Sequence, residues 1–269
     1  MAQGVVEPEP RLHAGRGEPL LLVHGLLLTW QSWGAVADEL ASDYEVLAPT
    51  LPGHWGGPPA RRPATIDYLA DFLESLLDEF GWPTAHLAGN SLGGWLALEL
   101  AARGRARSVT AIAPGGMWNS DPRAARRLIR KYRAFAPVIG IGAGSSVHPM
   151  VRSLVTPLLA HRPALVPHRL ATAAALAPAH CTIVDDLAED PTLPTGFTRF
   201  PDITTPITIL FPAQDRLLPP RDHSHLPTHP ILHSRTLPDV GHVPMLEAPT
   251  LITTEIRATT ARSAPAATP

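Results

Sequence analysis

The five residues Gly89-Asn90-Ser91-Leu92-Gly93 constrain this chain more than any other stretch. They fit the pattern G-x-S-x-G, and their setting matters more than their letters. A short apolar run, Ala85-His-Leu-Ala88, leads into them as a strand. Leu92 to Arg103 leaves them as an almost wholly apolar, hence buried, helix that stops at Gly104. A serine in so sharp a strand-to-helix turn takes strained backbone angles, and small residues two before and two after it let the chain pass without clashes. The turn lifts the Ser91 hydroxyl above the sheet, at the positive end of the helix macrodipole. An isolated G-x-S-x-G is common as an ordinary Gly-rich turn. The strand before it and the helix after it mark Ser91 as a nucleophile.

The rest of the chain repeats that strand–helix rhythm. Pro19-Leu-Leu-Leu-Val23, Tyr44-Glu-Val-Leu-Ala48, Ser108–Ala113 and Pro206–Phe211 are apolar runs of strand length, with Ser234–Leu237 a further short one. Ala64–Phe80 carries Ile66, Leu69, Phe72, Leu73, Leu76 and Leu77 as a helical stripe, and Met245–Arg257 reads as the last helix. Strands alternating with helices predict an α/β protein with a doubly wound, mostly parallel sheet. The core is expected over residues 11–114 and 206–260, with flexible termini at 1–10 and 261–269.

The rhythm breaks between Gly115 and Thr205. Ser120-Asp121-Pro122 starts a helix with six cations between Arg123 and Arg133, a run that reads as a solvated face. Pro137, Pro149, Pro157, Pro163, Pro167 and Pro178 then break up short apolar pieces. Residues 115–205 are expected to form an inserted helical cap, with an apolar interior built from Val138, Ile139, Ile141, Leu154, Val155, Leu158 and Leu159.

A serine hydroxyl needs a base to take its proton. Of 13 histidines, His242 lies in Asp239-Val-Gly-His242-Val-Pro, a turn between the last strand and the last helix, which in such a sheet falls at the same carboxyl edge as Ser91. His24 and His54 occupy comparable turns, but His24 adjoins a strand end that should supply an oxyanion donor. The base needs a carboxylate to hold its tautomer. Asp215, in the loop after Pro206–Phe211, fits that place. Asp239 is too near His242 in sequence, and Asp185, Asp186 and Asp190 fall in the insert. The order is Ser91, Asp215, His242.

These pieces resemble the α/β-hydrolase fold, in the cap-bearing group that includes small esterases, lactonases and carbon–carbon bond hydrolases. The matching segments are Val23-His24-Gly25, Leu51-Pro-Gly-His54, Gly89-Asn-Ser-Leu-Gly93, Pro212-Ala-Gln-Asp215 and Gly241-His242. The resemblance implies Ser91 as nucleophile, His242 as base, Asp215 as acid, and an oxyanion hole from the backbone N–H groups of Leu26 and Leu92. It implies hydrolysis of a small, largely hydrophobic carboxylic ester or lactone. Asn90 before the serine also resembles carbon–carbon hydrolases of ring-fission products, although Val243 stands where those usually carry an aromatic residue and Pro52-Gly-His54-Trp55 where they tend to hold an asparagine. A cyclase, dehydratase, acyl transferase or ligand receptor on the same fold is the remaining alternative. Trp30, Asn90, Met117 and Trp118 are the expected substrate contacts, with no cofactor and no metal.

Composition narrows the partners. The formal net charge of −2 leaves no basic footprint for nucleic acid. The single cysteine, Cys181, excludes an internal disulfide framework or a multi-cysteine metal site. His223, His225, His229 and His233 are dense, but Pro227 and Pro230 interrupt them, so they read as loop histidines. No stretch has the length and apolarity to span a bilayer, and Met1–Pro10 lacks a basic region followed by an apolar run. A cytoplasmic enzyme acting on a small molecule is expected; oligomeric state is not legible.

Overall fold

The computed structural model describes residues 9–117, 149–220, 226 and 228–263, and its organising element is a strand buried on both faces. β2 (Glu18–Val23) sends Leu21 and Val23 into one apolar cluster and Leu20 and Leu22 into another. Side chains alternate across a strand, so a strand apolar at every position needs a layer on each side. β5 (Ala106–Ile112) divides Val109 and Ala111 from Ile112 in the same way. β6 (Ile207–Pro212) divides Ile207, Ile209 and Phe211 from Leu210.

With β1 (Arg11–Gly15), β3 (Tyr44–Pro49), β4 (Ala85–Asn90) and β7 (Leu232–Leu237), these form a seven-stranded sheet in the order β1-β3-β2-β4-β5-β6-β7. β1 runs antiparallel to β3 and every other pair is parallel. The expected doubly wound sheet is thus present. α2 (Ile66–Glu79) and α3 (Leu92–Ala102) supply the apolar layer on one face, α1 (Gly34–Leu40) and α7 (Pro249–Thr260) the layer on the other. The chain reverses direction across the sheet between β2 and β4, and a crevice opens at such a switch point beyond the strands' carboxyl ends.

Several elements differ from expectation for visible reasons. β1 was not anticipated, because Arg-Leu-His-Ala-Gly is an exposed edge with no apolar run. Nor was α1, which has only seven residues and opens on a glycine. The last helix starts at Pro249 rather than Met245, because Pro244–Leu246 forms a separate 3-10 turn. Ala261–Ser263, expected in a tail, make a further turn, from which Arg262 Nη2 donates to Thr208 Oγ1 at 2.5 Å.

Between β5 and β6 the described residues contain α4 (Pro149–Leu159), α5 (His168–Leu176) and α6 (Val184–Ala188), and none of them joins the sheet. The prolines expected to interrupt this segment mostly begin its elements: Pro149 opens α4, Pro163 a 3-10 turn, and Pro167 caps α5. A first-turn N–H has no intrahelical partner, so a residue without one fits there. Leu154, expected inside, is 50% exposed, while Val155 is buried. The cation-rich helix and Val138, Ile139 and Ile141 lie outside the described residues.

Two carboxylates of this segment hold the start of α2. Asp190 Oδ2 accepts the Ile66 N–H at 2.7 Å and Asp186 Oδ2 the Ala64 N–H at 3.0 Å, beside the Thr65 Oγ1 cap on the Tyr68 N–H at 3.1 Å. Replacing Thr65 by alanine removes a part-buried cap, worth about 1 kcal/mol. Asp190→Ala leaves a buried N–H without an acceptor, a loss of about 1–3 kcal/mol. Urea denaturation should rank Asp190→Ala as the more damaging of the two; the reverse order would contradict this anchoring.

Candidate active site

The elbow is set by close packing. A Cβ on Gly89 would lie 2.0 Å from the Gly93 carbonyl oxygen, and one on Gly93 only 2.2 Å from the Val23 carbonyl oxygen. No side chain fits at either place, so β4 passes into α3 hard against the end of β2. Ser91 between them takes φ 56° and ψ −117°, a strained conformation for a residue with a side chain. Its N–H donates to the Ile112 carbonyl at 2.9 Å and its own carbonyl accepts from Trp95 and Gly115, so the turn is held on three sides.

Asp215 and His242 come from neighbouring loops at the same edge. Ala213 N–H donates to the Leu237 carbonyl at 2.8 Å and Gln214 N–H to the Val240 carbonyl at 3.1 Å, which fastens the loop after β6 to the loop after β7. His242 Nδ1 donates to Asp215 Oδ2 at 2.6 Å, with both side chains almost wholly buried. The other oxygen, Oδ1, accepts the N–H groups of Leu217 at 2.8 Å and Leu218 at 2.7 Å, which orients the carboxylate. An ionised carboxylate only accepts, so the ring proton sits on Nδ1 and Nε2 keeps its lone pair.

The other candidates are occupied elsewhere. His24 accepts the Leu51 N–H on Nε2 at 2.9 Å and donates from Nδ1 to the Gly25 carbonyl at 2.8 Å, so neither ring nitrogen is free to act as a base. Burial holds its pKa well below the usual histidine range, and burial pushes His54 down to about 4. Asp239 is exposed in left-handed backbone, with φ 55°. Burial pushes the Cys181 thiol up to about 11, far from a thiolate at neutral pH. A second serine–histidine–carboxylate chain, Ser108 Oγ to His86 Nδ1 at 2.8 Å and His86 Nε2 to Glu18 Oε2 at 3.2 Å, lies toward the amino ends of the strands. Ser108 is 1% exposed within a strand, so that chain has no access to substrate.

The expected binding residues separate. Gly25 comes alongside Ser91, since a Cβ there would be 3.1 Å from the Ser91 Cβ, and the turn closed by Leu28 N–H on the Gly25 carbonyl at 3.2 Å therefore sets Leu26 beside the elbow. Leu92 is the first residue of α3, where an N–H has no carbonyl one turn back. Asn90, expected to touch substrate, is instead wholly buried. Its Nδ2 donates to the His242 carbonyl at 2.8 Å and the Ile112 carbonyl at 3.3 Å, so it braces the histidine loop from below. Trp30 donates from its indole to the Glu9 carbonyl at 2.7 Å, which ties it to the approach to β1 rather than to Ser91. Met117 is buried in the cluster that holds Trp95 and Phe197, and Trp118 lies outside the described residues. Among the described residues no group of three or more His, Cys, Asp or Glu is arranged to hold a metal; His223 and His225 fall outside them. No helix among them is long and apolar enough to cross a membrane.

A mostly parallel sheet with a strained serine between β4 and α3 is the architecture of one family. Residues 20–254 match the alpha/beta hydrolase family, and the chain belongs to that family and is a hydrolase. It is similar to epoxide hydrolase EphH of Mycobacterium tuberculosis strain H37Rv, 39% identical over 192 residues that make up 69% of this chain and 90% of that protein. It is also similar to the 2-hydroxymuconate semialdehyde hydrolase of Pseudomonas sp. strain CF600, 34% identical over 113 residues, 40% of this chain and 40% of that one. A thermophilic esterase from Thermogutta terrifontis shares the fold, with a TM-score of 0.71 at 22% identity, covering 94% of this chain and 93% of that one.

The buried histidines give the fold an acid limit. His24 and His54 are neutral when folded, and their rings stand 4.9 Å apart, so one proton hinders a second. Unfolding frees both to bind protons below the reference pKa of about 6.5. Their contribution is complete above that pH and is lost as pH falls toward the folded value of about 4 for His54, at up to about 1.4 kcal/mol per pH unit for each. Unfolding free energy measured from pH 7 to 4.5 should decline, and less steeply in His54→Gln. Equal slopes would contradict this assignment.

Proposed function

We propose that the protein is a serine hydrolase in which Ser91 is the nucleophile, His242 the general base and Asp215 the residue that holds the base, acting on a small, largely hydrophobic carboxylic ester or lactone. The observation that carries this is the buried 2.6 Å bond from His242 Nδ1 to Asp215 at the edge where Ser91 opens α3. Nε2 takes the Ser91 proton as Oγ adds to the substrate carbonyl. The negative oxygen that forms is met by the backbone N–H groups of Leu26 and Leu92, fixed donors of the kind that contribute most to such reactions. Nε2 then returns the proton to the leaving alcohol. Water, activated by the same nitrogen, cleaves the acyl-enzyme. Every step uses groups of this chain, with no cofactor or metal. The described part of the segment between β5 and β6 is read as the cap beside the site, since the end of α4 meets the His242 loop.

The epoxide-hydrolase name of the mycobacterial relative does not transfer easily. A carboxylate that opens an epoxide leaves an ester, which water can cleave at its carbonyl. A serine that opened the same ring would leave an ether, with no carbonyl to attack and no turnover. Ser91 therefore favours acyl over alkyl chemistry. The Asn90 NH₂ is used on backbone carbonyls, while its buried Oδ1 has no partner among the described residues.

The test is stoichiometric labelling of Ser91 by a fluorophosphonate, alongside turnover of p-nitrophenyl esters, lactones, styrene oxide and a vinylogous diketone. Label at Ser91 and turnover of an ester or lactone are expected, with kcat reduced by at least about 10⁴-fold in Ser91→Ala. An unlabelled wild-type protein, or turnover of the epoxide that survives Ser91→Ala, would overturn the proposal.

A further inference from the structure

We infer that Glu247 is a positioning residue for His242: its carboxylate fastens the loop that carries the base to the end of α4, so that the loop and the segment beside it are held as one body. The inference rests on the reading of His242 as the general base.

Glu247 follows the 3-10 turn Pro244–Leu246, and its side chain is 0% exposed. A carboxylate so buried is costly unless hydrogen bonds satisfy it. Oε1 accepts the N–H of Gly241 at 2.7 Å and of His161 at 2.9 Å, and Oε2 accepts the N–H of Arg162 at 2.6 Å. One donor belongs to the residue before the base and two to the chain just past α4. The Arg162 guanidinium, 4.0 Å away and half exposed, adds little. Glutamine has one acceptor oxygen and turns an NH₂ toward an N–H. The site therefore requires the carboxylate and not merely its shape.

Two further contacts put the same two segments together. A Cβ on Gly241 would lie 2.6 Å from the His161 nitrogen and 2.8 Å from the Ala160 carbonyl carbon, so the backbones touch there with no room for a side chain. Val243 N–H donates to the Leu159 carbonyl at 2.8 Å. With Asn90 on the His242 carbonyl, each of residues 241, 242 and 243 has a backbone group held by a residue beyond 239–243. The acid side reaches the same helix end, where Arg216 Nη1 donates to the Pro157 carbonyl at 2.8 Å. The end of α4 is thus a strut shared by the loops of both catalytic partners. Glu247 is the side chain that attaches it to the base loop, beside the Val243–Leu159 backbone bond.

The experiment compares wild type with Glu247→Gln, using kcat per active site counted by p-nitrophenyl ester burst, KM, and the pH profile of kcat/KM. A loosened loop weakens the Asp215–His242 bond, which favours the protonated ring, so the acid limb should move to lower pH. Titrated kcat should fall between about 10- and 100-fold, with KM changed less than about 3-fold. A merely structural role lowers melting temperature and the count of active sites but leaves titrated kcat and the acid limb where they were, and that result would overturn the inference. Hydrogen exchange on the wild-type protein covers the case of a variant that does not fold. Gly241 and His161 share one acceptor oxygen, so their amides should open together, and protection that differs by more than about tenfold, beyond 1.4 kcal/mol, would also overturn it. A wild type that takes no fluorophosphonate label at Ser91 would sink the serine-hydrolase reading instead, while exchange still decides whether Glu247 joins the two segments.

Discussion

The close approach of β2, β4 and α3 is the constraint on which the rest of the site depends. Gly89 and Gly93 leave no room for a side chain between the elbow and the Val23 carbonyl, and that contact forces Ser91 to φ 56° and ψ −117°. Such a conformation costs about 1–3 kcal/mol and persists only when its surroundings over-determine it. Here the surroundings are two apolar clusters, one on each face of β2, together with the Ile112 carbonyl that takes the Ser91 N–H. The strain is carried by the best-buried part of the molecule, and it brings the hydroxyl to the first turn of a helix and the Leu26 turn alongside it.

Asp215 and His242 are held differently. Neither sits on a regular element; each is fixed by bonds from its loop to something rigid. The Asp215 loop is fastened to the His242 loop through Leu237 and Val240, and Asp215 takes two N–H groups of its own loop. The His242 loop is braced below by Asn90 and above by Glu247 and Leu159. Ser91 depends on apolar packing near the sheet's centre, while His242 depends on a few polar contacts, one of which comes from the segment between β5 and β6.

This division explains what could be read in the sequence. The central strands, α2, α3 and the elbow were legible because burial on both faces, or on one stripe, writes itself as a period in the residues. The places of Ser91 and Asp215 at one sheet edge were legible because each follows such a strand, and that of His242 because it follows the short run ending at Leu237. β1 left no apolar run at its exposed edge, and α1 was too short to show a period. Asn90 looked like a substrate contact because a polar residue beside a nucleophile gives no sign of which way it points. Glu247 could not have been found by pattern, since its partners His161 and Arg162 lie 86 and 85 residues away and offer only backbone N–H groups, which every residue has. Prolines were read as breaks where several are helix starts, because the residue is compatible with both.

The central claim is that chemistry passes through a covalent acyl group on Ser91. Acid-quenching the enzyme within one turnover of a p-nitrophenyl ester and mapping the peptides by mass tests it most directly. The account predicts the acyl mass on the peptide that contains Ser91, in an amount matching the p-nitrophenol burst. A full burst with the acyl mass on another residue, or turnover with no protein-bound acyl group at any quench time, would contradict it.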